Sequence, residues 1–111
     1  MTSDGQLRAE ITAELEAAVR FRKEGNEGRA RVCARRAAGW AVGWYVEKYQ
    51  LAETHSNALE HLRWLANYPH ADSRLNEAAR RLVTKLKPDG SLPFEYDLLD
   101  EAHLIIESYL A

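Results

Sequence analysis

Apolar residues recur along the chain at spacings of three and four, which is the period of an amphipathic α-helix. No run of β-branched residues alternates with a period of two, and the glycines and prolines stand almost entirely where helices would begin or end. The pattern therefore predicts an all-α protein, built as an up-and-down bundle of four or five helices in one domain, 1–111.

Five segments carry this helical pattern. The first is predicted from Ser3 or Asp4 to Glu24, and the others are predicted at Glu27–Tyr49, Asn57–Ala66, Asp72 or Ser73 to Leu86, and Asp97–Leu110. Gly25 is suited to end the first helix in a left-handed conformation, and Asn26 is a typical N-cap for the second. The first two helices are therefore predicted to lie antiparallel, and a connection is expected at 53–56.

The second helix contains the stretch RARVCARRAAGWAVGWYV, residues 29–46, which is apolar on two sides. At about 100° per residue, one face gathers Ala30, Cys33, Ala34, Ala37, Ala41 and Trp44. The opposite face gathers Val32, Gly39, Gly43 and Val46. Four arginines separate these two faces: Arg29, Arg31, Arg35 and Arg36.

Gly39 and Gly43 are four residues apart, a spacing that lets another helix approach closely. A glycine inside a helix costs about 1 kcal/mol relative to alanine, so a compensating contact is expected. If the small-residue face packs inside the bundle, then Val32, Gly39, Gly43 and Val46 are predicted to form the interface of a two-fold homodimer. A central second helix with both faces buried inside one bundle explains the pattern equally well.

The composition, 46% hydrophobic and 29% charged residues, is that of an ordinary globular protein. No apolar run approaches the roughly 20 residues of a transmembrane helix, and the N-terminus lacks a secretory pattern, so we expect a cytoplasmic protein without a membrane partner. Cys33 is expected to be a small buried residue. No cofactor motif is present, and no metal site is predicted, because metal-ligand spacing is missing among the histidines, His55, His61, His70 and His103.

The arginines of the second helix raise the question of nucleic-acid binding. The net charge of −2 gives the whole molecule no attraction to nucleic acid, so binding would need a local patch. The four arginines named above are a candidate RNA- or anion-binding patch, with Trp40 or Trp44 as a stacking face. The alternative is that glutamates of the bundle pair with these arginines.

The layout resembles the HEPN domain superfamily. The stretch GNEGRARVCARRAAGWAVGWYVEKY (Gly25–Tyr49) looks like the second HEPN helix with its small-residue core, and DLLDEAHLIIESYL (Asp97–Leu110) is similar to the closing helix. The resemblance implies a HEPN-like bundle that works by association. Its partners would be a second copy in a homodimer, a protein such as a nucleotidyltransferase, or RNA.

RNA-cleaving proteins of this superfamily share an arginine and a later histidine with four to six residues between them. In RWLANYPH, six residues separate Arg63 from His70. The resemblance implies a metal-independent ribonuclease in which Arg63 stabilises phosphate charge and His70 transfers a proton. The alternative is that Arg63 is a solvated residue of the third helix and His70 a loop residue.

Three functions therefore remain open from the sequence. The leading expectation is a binding protein without a catalytic motif, which acts through self-association and through protein or RNA partners. The ribonuclease is the second. A tetratricopeptide-like adaptor is the third, suggested by the helix pairs, although the 34-residue repeat of that class is missing.

Overall fold

The computed structural model describes residues 4–52 and 57–110. Within them, the chain forms five helices packed into an all-α bundle, which confirms the predicted fold class: α1 (Asp4–Lys23), α2 (Glu27–Lys48), α3 (Ala58–Asn67), α4 (Ser73–Val83) and α5 (Leu98–Leu110). The alternative helix start at Ser3 and the expected connection at 53–56, with His55, lie outside the described residues.

The turn between α1 and α2 is built from the predicted capping residues. Gly25 has a φ of 80°, and its N–H donates to the carbonyl of Arg22 at 3.0 Å. The N–H of Asn26 donates to the carbonyl of Phe21 at 2.8 Å, which completes a Schellman motif. The Asn26 side chain then accepts from the N–H of Arg29 and caps α2. This short turn makes α1 and α2 antiparallel neighbours, as predicted.

The direction of α3 differs from the up-and-down expectation. Gly39 of α2 lies beside Ala58, and Gly43, one turn later, lies beside His61, so α3 runs in the same direction as α2. Because α2 ends at Lys48 whereas α3 begins beside Gly39, the chain doubles back before α3 starts. The up-and-down topology is therefore wrong at this connection.

The last two helices complete the bundle. The Asn76 side chain of α4 donates to the carbonyls of Leu65 and Tyr68 at 2.8 and 2.9 Å, which ties the start of α4 to the end of α3. Near the end of α5, the ring of Tyr109 stacks on Tyr45, with centroids 4.3 Å apart. The C-terminal ends of α2, α3 and α5 therefore lie at the same end of the bundle.

Small side chains make α2 the central helix. It contacts α1, α3 and α5, and most of its buried residues are alanine or glycine. Cys33 is 7% exposed, which confirms its prediction as a small buried residue. Short side chains leave room for three neighbouring helices around one axis. Across 4–52 and 57–110, we find no helix with the length and apolarity to cross a membrane.

The end of α4 is the one helix boundary that the sequence pattern misplaces by more than one residue. The helix stops at Val83, and Thr84 adopts an extended backbone with φ −69° and ψ 133°. The Thr84 hydroxyl donates to the carbonyl of Arg80 at 2.6 Å, a local bond that competes with helix continuation. Leu86, predicted to be the last core position of this helix, is instead 48% exposed.

Candidate functional site

The glycines of α2 face α3 of the same chain. A Cβ built at Gly39 would lie 2.6 Å from the carbonyl oxygen of Ala58 and 2.7 Å from its Cα. A Cβ at Gly43 would lie 2.6 Å from ring atoms of His61, and Val46 is only 1% exposed. The prediction that Gly39, Gly43 and Val46 form a homodimer interface is therefore wrong, because α3 already covers them.

Val32, the fourth residue of that predicted interface, has a different environment. It is 44% exposed, because α3 begins beside Gly39, two turns further along α2. The alternative interpretation, in which both faces of α2 are buried within the bundle, thus holds for the second half of the helix. Val32 lies on the same face of α2 but before the start of α3, so α3 does not cover it.

Val32 opens into a shallow groove of about 530 Å³ between α2 and the start of α3. We call this the α2–α3 groove; its lining residues are Val32, Arg35, Arg36, Trp40, Asn57, Ala58 and Leu59. On α2, Val32, Arg36 and Trp40 follow one another at four-residue spacing and form a single stripe. None of these lining residues is acidic, and the groove combines apolar surface with two guanidinium groups.

Two arginines of the predicted anion patch are held by glutamates. Arg36 pairs with Glu14 of α1 at 3.0 Å, and Arg31 lies 3.6 Å from Glu27, one turn earlier on α2. These contacts are the arginine–glutamate pairs that the sequence offers as the alternative to an anion-binding patch. They offset much of the positive charge that a phosphate would meet.

The other two arginines have neutral contacts. The Nε of Arg35 donates to the carbonyl of Leu82 at 2.6 Å, and burial lowers the pKa of this guanidinium, with a smaller effect from Arg31. Arg29 lies over the ring of Phe21, 5.5 Å from its centroid. The four arginines are therefore spread over separate contacts around α2, and only Arg35 and Arg36 line the α2–α3 groove.

Arg63 and His70, the predicted ribonuclease pair, do not both line either the α2–α3 groove or the second cleft of the described residues. Arg63 forms an ion pair with Glu60 on the exposed side of α3. His70 follows the helix, and its ring meets the ring of Tyr68 edge-on at 5.5 Å between centroids. A second cleft, of about 300 Å³, has a lining that includes Arg63 but not His70: Val46, Ala52, Glu60, His61, Arg63, Trp64 and Asn67.

His61, for which the sequence pattern predicts no role, lines this second cleft. Both of its ring nitrogens are buried where the ring packs against Gly43. The spacing of Gly39 and Gly43 indicated a close helix neighbour, but only the fold identifies that neighbour. Within the described ranges, no group of three or more His, Cys, Asp or Glu side chains is arranged to hold a metal ion.

Comparison of the chain with protein-family models, with curated proteins and with solved structures gave no match. The resemblance to the HEPN superfamily therefore remains a prediction from the sequence pattern.

Proposed function

We propose that this protein is a non-catalytic binding module that forms a homodimer through the α2–α3 groove. The observation that carries the proposal is the 44% exposure of Val32 in a groove that also contains Trp40 and Leu59. An apolar side chain surrounded by further apolar surface gains about 25 cal/mol for each Å² that a partner removes from water. A second copy is the simplest partner, because a two-fold axis covers both grooves at once.

The two arginines of the groove do not prevent two copies of the chain from associating there. Arg36 at the rim of the groove is paired with Glu14 at 3.0 Å, and Arg35 donates to the carbonyl of Leu82. Both guanidinium groups thus have contacts within their own chain, which reduces the repulsion between two like-charged surfaces. Arginine and tryptophan are also the residue types that contribute most at the centres of protein interfaces.

The wider proposal includes other partners of the same groove. A protein such as a nucleotidyltransferase, or RNA stacking on Trp40, would compete with the second copy for this surface. The HEPN-like identity of the bundle belongs to this proposal, since the superfamily resemblance is what implies such partners.

The decisive experiment is sedimentation equilibrium from about 5 to 500 μM, a range in which weak and moderate dimers dissociate. The wild type is expected to dimerise, and Val32→Lys is expected to be monomeric, because it adds a positive charge to an interface that already holds two guanidinium groups from each copy. Val19→Lys is the matched control, since Val19 on α1 is exposed to 41% and lies outside the groove lining. A wild type that is monomeric at every concentration, or equal dimerisation of both variants, would contradict the proposal.

Catalysis is tested separately. Single-stranded RNA incubated with the protein in EDTA is expected to remain intact, since the second cleft contains Arg63 without His70. Metal-independent cleavage that disappears in His70→Ala would replace the binding module with the ribonuclease.

A further inference from the structure

One end of the bundle is rich in aromatic side chains. We call it the aromatic end; it comprises Trp44, Tyr45, Tyr49, Trp64, Tyr68 and Tyr109. Tyr45 stacks on Tyr109 at 4.3 Å between centroids, and Trp64 stacks on Tyr68 at 4.4 Å. Tyr49 lies 4.9 Å from Tyr45 and is 55% exposed. The rings come from the C-terminal ends of α2, α3 and α5 and from the C-cap residues Tyr49 and Tyr68.

A cation already occupies part of this surface. The ammonium group of Lys48 lies 4.6 Å from the centroid of the Trp44 ring and 5.7 Å from that of Tyr49. Among the described residues, Lys48 has no carboxylate within ion-pair distance. The ring faces, whose quadrupoles attract cations, are therefore what this ammonium contacts.

The backbone adds negative potential at the same place. The C-terminal ends of α2, α3 and α5 meet at the aromatic end, and each carries the partial negative charge of a helix terminus. The Trp44 indole N–H donates to Asp4 at 2.8 Å, which fixes the orientation of its ring. Burial, together with the nearby Tyr45 and Tyr68, raises the pKa of the Tyr109 hydroxyl to about 12, so this phenol stays neutral at physiological pH.

We propose that the aromatic end binds an organic cation of the alkylammonium class against the rings of Trp44 and Tyr49, where the Lys48 ammonium is a built-in competitor. The rings supply cation–π attraction, and the helix termini favour positive charge over a neutral group of the same shape. Trp44, Lys48 and Tyr49 are not among the lining residues of the α2–α3 groove, so this site does not use the surface of the proposed dimer. The cation comes either from a free small molecule or from a methylated lysine of a partner protein.

The test is a titration of the full chain followed by amide chemical shifts in two-dimensional NMR. The probes are tetramethylammonium, choline, a short trimethyllysine peptide, and 3,3-dimethylbutan-1-ol as the uncharged analogue of choline. Tetramethylammonium and choline are expected to shift residues at the end of α2 and at Tyr49, with millimolar affinity, and the alcohol is expected to bind about two- to fivefold more weakly, since an exposed cation–π contact is worth about 0.5–1 kcal/mol. Equal binding of choline and the alcohol would overturn the proposal.

Two pairs of variants separate this site from general charge attraction. Lys48→Met removes the competitor and is expected to tighten tetramethylammonium binding about two- to fivefold, whereas Lys23→Met, an exposed lysine of α1, makes the same change in net charge and is expected to have no such effect. Tyr49→Leu is expected to weaken binding, and Tyr96→Leu, at 51% exposure, is its control. Unchanged affinity in Lys48→Met or in Tyr49→Leu would overturn the proposal.

The peptide distinguishes the two sources of the cation. Tighter binding of the trimethyllysine peptide than of choline, by tenfold or more, assigns the site to a partner protein. Equal or weaker binding of the peptide assigns it to a free small molecule.

Discussion

The imidazole of His61 lies against the backbone of Gly43, so closely that a Cβ on that glycine would be 2.6 Å from the Cε1 and Nδ1 atoms of the ring. One turn earlier, Gly39 meets the backbone of Ala58 in the same way. These two contacts set the distance and the direction of α3 relative to α2. They also explain why a helix at the centre of the bundle contains glycine at both positions.

The first prediction concerns these two glycines. Gly39→Ala is expected to lower the free energy of unfolding by about 2 kcal/mol, because the new methyl group meets Ala58 backbone that cannot move aside. Gly43→Ala is expected to be milder, since a side-chain ring can rotate away. Gly28→Ala, at the start of the same helix with only an ordinary 3.9 Å contact, is expected to be neutral or stabilising by up to about 1 kcal/mol. Urea denaturation measures all three, and a neutral Gly39→Ala would refute the close contact.

The second prediction concerns a charge held inside the bundle. Glu101 is 7% exposed and accepts from Arg81 at 3.0 Å, while the guanidinium also lies over the ring of Tyr96 at 3.5 Å. Arg81→Met is expected to cost about 3 kcal/mol, because it leaves a buried carboxylate without this partner. Arg80→Met, at the exposed neighbouring position, is expected to change stability by less than about 0.5 kcal/mol. Equal effects in thermal or urea unfolding would contradict the prediction.

The third prediction is a pH dependence. Arg22 donates to both Asp97 and Glu27 at 2.8–3.0 Å, and these bonds hold the pKa of each carboxyl below its usual value of 3.8 or 4.5. A carboxyl whose pKa is lower in the folded state stabilises the fold above its unfolded pKa, and this contribution is lost as the pH falls through the folded pKa. Arg22→Met is therefore expected to be less stable than the wild type at pH 7, and the difference should shrink below about pH 4.

Solvent exposure limits the stability difference between Arg22→Met and the wild type. The Arg22 and Asp97 side chains are 36% and 37% exposed, so the difference at pH 7 is expected to be about 1 kcal/mol. Arg20→Met is the control, because it removes the same charge from a side chain that lies over Phe21. Urea denaturation between pH 2.5 and 7 gives both curves. A difference for Arg22→Met that does not vary with pH would rule out the linkage.

The fourth prediction concerns thiol reactivity. Cys33 is buried, and burial raises the pKa of its thiol, with a further contribution from Glu14. The native protein is expected to react with a thiol-specific reagent on the order of 100-fold more slowly than the urea-unfolded chain. Moving the thiol by one residue, in Val32→Cys combined with Cys33→Ala, is expected to restore rapid reaction in the dilute monomer, since Val32 is 44% exposed in the single chain. Rapid labelling of the native wild type would show that this face of α2 opens readily.

Much of the candidate site could not be predicted from the sequence pattern. Helical spacing places Val32, Arg36 and Trp40 on one stripe of α2, and this could be predicted. The groove beside them could not, because it depends on where α3 starts in space. The same pattern is explained equally well by a second subunit and by a helix of the same chain beside Gly39 and Gly43, because a requirement for a close neighbour does not identify the neighbour.

The sequence by itself determined the helices and their caps. Gly25, Asn26 and Asp72 act on backbone groups within a few residues, so their effect needs no knowledge of the fold. Tertiary structure decided the direction of α3 and the partners of the arginines. It also brought Tyr45 and Tyr109 together from helices far apart in the chain. Such contacts depend on which helix faces meet in space, and helical periodicity specifies the faces without specifying their pairing.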